Sequence, residues 1–396
     1  MEFTTQPLFL SEVKEQPRVL SNTLAQYVGP NYCLKMTKPP LDNLTLIKIN
    51  KVYLTGCGTS FHAALTARYL IEELAGVPTV VEQASECGQH QLLVDNSVLA
   101  VAVSQSGRSR ETLTALRLAK NKGAVTLALV NDADSPLARE AAGYITTLAG
   151  RVLTPSSTKA FTSQTLVLGL LAFRLAQARG LLTHGLREEI REFGNLAESV
   201  RFALSLCERE VINVASALLS YEHLFILAVG RLLPMVYEGA LKLKEVAKFH
   251  AEGYSAGEFG HGPLAMAGPN TPVILMAFND QPEGAAAGAT LARVLKDRGA
   301  PLILITENGP RKNRELLELA DYAILLPLVP PRLRPQVALI PLQLLASHLG
   351  SLKGLDVDNP HGLLSESLLS EDGAQATETG EGDGLAEVAF PGSFQR

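Results

Sequence analysis

Apolar and polar positions along the chain fall into alternating blocks, β-branched runs followed by stretches with helical apolar spacing. The N-terminal segment predicts a helix over 12–27. After it, 51–54 reads as a strand, and 61–74 as a helix up to the stop signal Ala75-Gly76. The unit repeats, with strands at 77–81, 97–103 and 125–130 and helices at 111–120 and 160–177 that end at Gly123 and Gly180. Residues 186–220 read as helical throughout. The pattern then restarts, with strands at 223–229, 272–277, 301–305 and 322–326 and helices at 236–249, 287–298 and 337–353. Such alternation predicts an α/β fold of parallel sheets flanked by helices in three αβα layers. The shared order of elements in the two stretches predicts duplication of one unit. The expected organisation is an N-terminal arm (1–45), a first α/β domain (46–185), a helical connector (186–220), a second α/β domain (221–363) and an acidic, disordered tail (364–396).

Composition adds little to the fold but narrows the function. With 396 residues, 46% hydrophobic and 19% charged, the chain can bury a large core. Its formal charge of −5 is carried by the tail, where Glu371, Asp372, Glu378, Glu381, Asp383 and Glu387 face only Arg396. A near-neutral body offers no electrostatic footprint for nucleic acid or an anionic membrane. Cys33, Cys57, Cys87 and Cys207 lack metal-ligand spacing and read as free thiols of a cytoplasmic protein. The first twenty residues carry Glu2, Glu12 and Glu15 and predict no secretory leader, and no apolar stretch is long enough to span a bilayer.

Two strand-to-helix turns carry the first chemical signal, Gly56-Cys-Gly-Thr-Ser60 and Ser104-Gln-Ser-Gly-Arg-Ser109. A helix start leaves N–H groups without partners and carries a partial positive charge, so added Ser and Thr hydroxyls make an anion site that needs no lysine. One serine alone would be a simple N-cap; the cluster of Ser104, Ser106 and Ser109 with Thr59 and Ser60 favours phosphate. Phe61 occupies the place of the third glycine of a dinucleotide fingerprint and the Walker lysine is missing, which disfavours nicotinamide cofactors and ATP; no cofactor is expected. The second signal is Glu238-Gly-Ala-Leu-Lys-Leu-Lys-Glu245, where Glu238, Lys242 and Glu245 share one helical stripe. That stripe is either a solvated ion-pair ladder or a carboxylate base tuned by its lysine. The segment from His250 to Pro263 is glycine-rich and polar, resists any regular element, and suits binding. His250 and His261 lack metal-ligand spacing, so no metal is expected.

Together these motifs resemble the sugar isomerase (SIS) domain family, most closely the isomerase half of glucosamine-6-phosphate synthase. The likeness runs from Glu15-Gln-Pro17 to Asn359-Pro360 and includes Ser157-Thr-Lys-Ala-Phe-Thr162, His261-Gly-Pro-Leu-Ala265, Pro341-Leu-Gln-Leu-Leu-Ala346 and Asp356-Val-Asp358. It implies two SIS units. It implies a hexose or hexosamine 6-phosphate whose phosphate is held by Ser60, Ser104, Gln105, Ser106 and Ser109. Thr59, Ser157 and Lys242 would contact the sugar, and Cys57 counts among the substrate-binding residues. Glu245 would move a proton between C1 and C2, and His261 would reach across from the second subunit of a homodimer to open the ring. Three departures stand out. Met1 is followed by Glu2 and not by the cysteine of a glutaminase domain. Ser365 occupies the position of the family's Schiff-base lysine, with Lys159 and Lys353 as possible substitutes. Arg108 and Arg110 make the second turn look like that of the glutaminase-free SIS-type glucosamine-6-phosphate deaminases. Deamination of glucosamine 6-phosphate to fructose 6-phosphate is therefore the expected activity. The alternatives are an aminotransferase-like enzyme, a deglycase of fructosamine phosphates, or a non-catalytic sugar-phosphate sensor.

Overall fold

The computed structural model describes residues 6–360 except 39, 182–184, 279–281 and 309–313, and excepts the side chains of 282–287. Ser365 and the acidic tail lie outside the described residues.

The first half contains the strands β1 (Lys51–Gly56), β2 (Thr79–Gln83), β3 (Val98–Val103), β4 (Val125–Val130) and β5 (Gly143–Thr146). They form one parallel sheet in the order β2-β1-β3-β4-β5. The second half contains β6 (His223–Ala228), β7 (His250–Ser255), β8 (Val273–Met276), β9 (Leu302–Glu307) and β10 (Tyr322–Leu326) in a parallel sheet ordered β10-β9-β8-β6-β7. Counted within its own half, the second sheet has the strand order of the first. The predicted duplication is thus present in the topology.

Strand side chains alternate between two faces, and the two faces build different cores. Val52 and Leu54 of β1 and Leu99, Val101 and Val103 of β3 enter one large cluster, as do Ile226, Ile274, Met276, Ile303 and Ile305 of the second sheet. Phe9, Phe173, Leu243 and Leu345 from helices of both halves join the same cluster. The opposite faces pack against outer helices, with Tyr53 and Ala100 against Ala115 and Ala119, and Phe225, Leu275 and Leu304 against Ala292 and Leu295. Strands buried on both faces explain why β3, with every residue buried, reads as an unbroken apolar run. Among the described residues no helix is long and apolar enough to cross a membrane.

The sequence reading of 250–263 as irregular is corrected. His250–Ser255 is edge strand β7, hydrogen-bonded to β6, and Ala256–Phe259 is a short helix. Its polar residues sit at the sheet edge, while Phe225 meets Tyr254 and Phe259 edge-on with ring centroids 5.9 and 5.0 Å apart and anchors the segment. Strand β5 and the short helices Pro136–Glu140 and Arg314–Leu319 escaped prediction because each is at most six residues long.

The helix Leu233–Ala247 is pressed against Arg334–Leu352 at Gly239, where an added Cβ would lie 2.1 Å from Leu342 Cδ1. Gly239→Ala, which at an open helical site would stabilise, should here destabilise by about 1–3 kcal/mol through overpacking. Denaturant unfolding should show this loss, and a smaller one in a Leu342→Val background.

Candidate active site

The register sets Gly56 opposite Val103, so β1 and β3 end level with each other. The chain order reverses between these two strands, with β2 on one side and β4 on the other. The crevice outside the carboxyl ends of strands at such a reversal is where open α/β sheets bind ligands. Both hydroxyl-bearing turns open into it. Gly56 is required by close approach, since a Cβ there would stand 2.8 Å from the Val103 carbonyl and 3.1 Å from Ser60. Cys57 is the N-cap of helix Gly58–Ala75, and its Sγ lies 3.7 Å from Thr112 Oγ1 on the neighbouring helix Arg110–Asn121. Gly107 has φ +67°, and a Cβ there would meet Ser135 Oγ at 2.2 Å.

In the second turn Ser104 Oγ accepts from Gly107 N at 3.0 Å, and Ser106 Oγ accepts from Arg108 N at 3.2 Å. Ser109, the N-cap of the second helix, has its Oγ 3.2 Å from that of Ser104. Buried Ser60 accepts at 3.0 Å from Nε2 of Gln164, which comes from helix Lys159–Ala178. Gln105 is half-buried, and its carbonyl accepts from Asn131 N. Arg108 pairs with Asp132 at 3.0 Å on the exposed side of the turn, so its charge is already matched.

The Glu238 stripe faces inward. Glu238 and Lys242 are fully buried and the Glu245 side chain is only 18% exposed, which rules out the solvated ladder. Lys242 Nζ stands 2.5 Å from Glu245 Oε2 and 3.4 Å from Glu238 Oε1. It also donates to Thr59 Oγ1 at 3.2 Å, and that hydroxyl in turn donates to Glu238 Oε1 at 3.0 Å. His62 Nδ1 lies 2.7 Å from Glu238 Oε2. Burial alone pulls the Lys242 ammonium down, but the two carboxylates outweigh it and hold the group above the ordinary lysine value. One ammonium thus serves two carboxylates, and His62 provides the further donor that Glu238 needs.

The structure brings Thr59, Lys242 and Glu245 together directly and sets Cys57, Ser60, Ser104, Gln105, Ser106 and Ser109 on the adjacent pair of turns. Ser157 is half-buried just before helix Lys159–Ala178. It stands between Ser156 and Thr158, whose buried hydroxyls have no hydrogen-bond partner among the described residues. His261 is exposed, in the turn after Ala256–Phe259, and makes no hydrogen bond or ion pair to the Lys242 group among the described residues of this chain. Both candidate substitute lysines have structural work. Lys159 is buried against Glu12 at 3.2 Å and Glu15 at 2.9 Å of the N-terminal helix. Lys353 donates to the carbonyls of Ala247 and Lys248 at the carboxyl end of the Glu245 helix. Sequence reasoning missed His62 and Gln164. For His62 a signal existed, because it lies three residues after Thr59 and so shares its helical face. Among the described residues no group of three or more His, Cys, Asp or Glu is placed to hold a metal ion.

Comparison with known proteins gives this geometry a context. The SIS domain family model matches residues 45–174 and 217–349, one match per sheet. Glutamine–fructose-6-phosphate aminotransferase (isomerizing) from Pseudomonas putida is 38% identical over 357 residues, covering 89% of this chain. The chain spans 57% of the length of that relative. The C-terminal domain of glucosamine-fructose-6-phosphate aminotransferase from Francisella tularensis superposes with a TM-score of 0.85 at 32% identity, covering 91% of this chain and 99% of that one. A glucosamine-6-phosphate deaminase from Thermotoga maritima shares the fold, with a TM-score of 0.70 at 22% identity over 90% of this chain and 98% of that one. With both sheets matched by the family model and nearly the whole of a solved aminotransferase domain covered, this chain belongs to the SIS domain family as a tandem of two SIS units.

Proposed function

We propose that the protein is a glucosamine-6-phosphate deaminase with aldose–ketose isomerase chemistry. The observation that carries the reading is the buried Thr59–Glu238–Lys242–Glu245 group beside a hydroxyl-lined cradle, which pairs a partly exposed carboxylate with an anion handle. The cradle at Ser60, Ser104, Gln105, Ser106 and Ser109 would hold the 6-phosphate. Cys57, Thr59 and Ser157 would border the sugar. His261 of a second subunit would assist ring opening, which makes the working unit a cytoplasmic homodimer with a shared site. On the open-chain amino aldose Glu245 takes the C2 proton and returns it to C1 while a proton from the amine nitrogen ends on O1, converting the C1 aldehyde and C2 amine into a C1 alcohol and a C2 imine. Water adds at C2, the C–N bond breaks, and fructose 6-phosphate and ammonia leave. The Lys242 ammonium stabilises negative charge that develops on the sugar oxygens during the proton transfer. Held above the ordinary lysine value, it remains protonated at neutral pH and serves as a donor; a neutral amine would be needed to form an imine.

The likeness to aminotransferases favours a second reading in the opposite direction, amination of fructose 6-phosphate. Both directions use the same proton transfer and the same cradle. Incubation with glucosamine 6-phosphate should release ammonia and fructose 6-phosphate in equal amounts. Turnover confined to fructose 6-phosphate with an amine donor would establish the second reading, and activity confined to fructosamine phosphates would establish a deglycase. Hexose-phosphate binding without any reaction would identify a sensor. Glu245→Gln should lower kcat by a factor of at least about 10³ with little change in sugar-phosphate affinity, since it removes the group that carries the proton.

Lys242→Met leaves Glu238 and Glu245 without their shared cation. It should destabilise the protein at pH 7 by about 3–5 kcal/mol. In the wild type the lysine's folded-state value is raised, so its contribution is complete below about pH 10 and is lost only as pH rises through the raised value. Thermal unfolding of wild type and variant from pH 7 to 11 would check the loss at pH 7 and its decline at alkaline pH.

A further inference from the structure

We infer that Gln164 is a positioning residue of the anion cradle, holding the Ser60 hydroxyl so that its proton points at the bound phosphate. The inference rests on the reading of the two turns as a phosphate site.

Gln164 is buried in helix Lys159–Ala178, which is buried from Lys159 to Ala176. Its Nε2 donates to Ser60 Oγ at 3.0 Å, while its Oε1 has no hydrogen-bond partner among the described residues. Leucine or methionine would fill the same volume without stranding a buried acceptor, so packing alone does not account for an amide here. On this helix Ser163 and Thr165 donate to their own backbone, at the Lys159 and Thr162 carbonyls, whereas Lys159, Thr162 and Arg174 reach Glu15, Gln16 and the Met36 carbonyl on other elements. Gln164 also reaches a different element, and reaches it at the cradle.

A serine hydroxyl has one proton and two acceptor lone pairs. An N–H donor on a lone pair fixes the oxygen as acceptor toward the protein and leaves the proton for something else. Ser104 and Ser106 are set in the same sense by the backbone N–H groups of Gly107 and Arg108. Ser60 sits in the first turn of its helix, where the helix dipole already favours an anion. Each of the three hydroxyls therefore accepts a hydrogen bond from the protein. For Ser104 and Ser106 the polarising donor is backbone, whereas for Ser60 it is a side chain that substitution can remove.

The test uses the full chain, with fructose 6-phosphate and inorganic phosphate as calorimetric probes and steady-state kinetics on the phosphorylated substrate. Gln164→Met should weaken both probes and raise KM by about five- to tenfold, the equivalent of one lost hydrogen bond, with kcat within about twofold of wild type. Gln164→Glu, which can only accept from Ser60 and adds a negative charge, should weaken binding further. Gln164→Asn, which keeps the amide but withdraws it, should behave like Gln164→Met and serves in its place if that variant does not fold. Ser60→Ala combined with Gln164→Met should bind no more weakly than Ser60→Ala alone. Losses that add in the double variant, or a fall in kcat and melting temperature with unchanged KM, would mean a structural role and overturn the inference. Normal affinity in Gln164→Met alongside weak binding in Ser60→Ala would overturn it while leaving the cradle intact. Normal affinity in both Ser60→Ala and Ser104→Ala would bring down the cradle reading and this inference together.

Discussion

One buried ammonium organises this molecule. Lys242 has no access to water, and removing a lysine from water is tolerable only when its charge and its donors are matched in place. The match comes from two chain segments far apart in sequence. Glu238 and Glu245 flank Lys242 on its own helix, while Thr59 and His62 approach from the first turns of the helix that follows β1. The group is complete only when the second half of the chain has docked on the first. Gly239, with no side chain to hold Leu342 away, lets the same helix approach Arg334–Leu352. Charge pairing and inter-half packing are therefore one constraint: the geometry that satisfies the charges also links Glu245, through Lys242, to Thr59 at the start of the helix after β1.

Duplication supplied two crevices of the same topology, and the halves use them differently. At the end of β1 and β3 the turns carry a cluster of hydroxyls. At the end of β6 the turn carries Arg231, which reaches across to Glu73 of the first half at 3.2 Å. Arg332 meets the same carboxylate at 2.9 Å and also pairs with Glu189. These partly exposed pairs contribute modestly to stability while linking the two halves through one shared carboxylate. Under the proposed function the first crevice receives an anion, whereas Arg231 beside the second pairs with Glu73 of the first half.

Much of this was legible in the sequence because buried parallel strands and their helices leave strong signals. The run Val98–Val103 could hardly be anything else, and the hydroxyl-rich turns follow directly from where such strands end. The Glu238 stripe was visible as a stripe, but periodicity gives only which residues share a face. Whether that face meets water or Thr59 depends on how two distant helices dock, so the ladder and the base could not be separated. His62 had a local signature beside Thr59, whereas Gln164 had none, since a glutamine inside an apolar helix shows its purpose only through Ser60. β7 was misread because Glu252 and Gly253 weaken the strand signal at a sheet edge, where half the backbone is already open.

The division of charge within the site follows from the same physics. A phosphate could have been held by arginines, as it often is. A nearby cation also stabilises the charged form of a carboxylate and reduces its tendency to take a proton. Under the proposed chemistry Glu245 must take one. The cradle residues Ser60, Ser104, Gln105, Ser106 and Ser109 bring no cation to the crevice, and Arg108 is matched by Asp132 on its outer side. The ammonium that does reach Glu245 also pairs with Glu238, whose negative charge opposes part of its field. Under that chemistry, neutral donors at the phosphate end would let the crevice grip a dianion without adding a further cation beside its base.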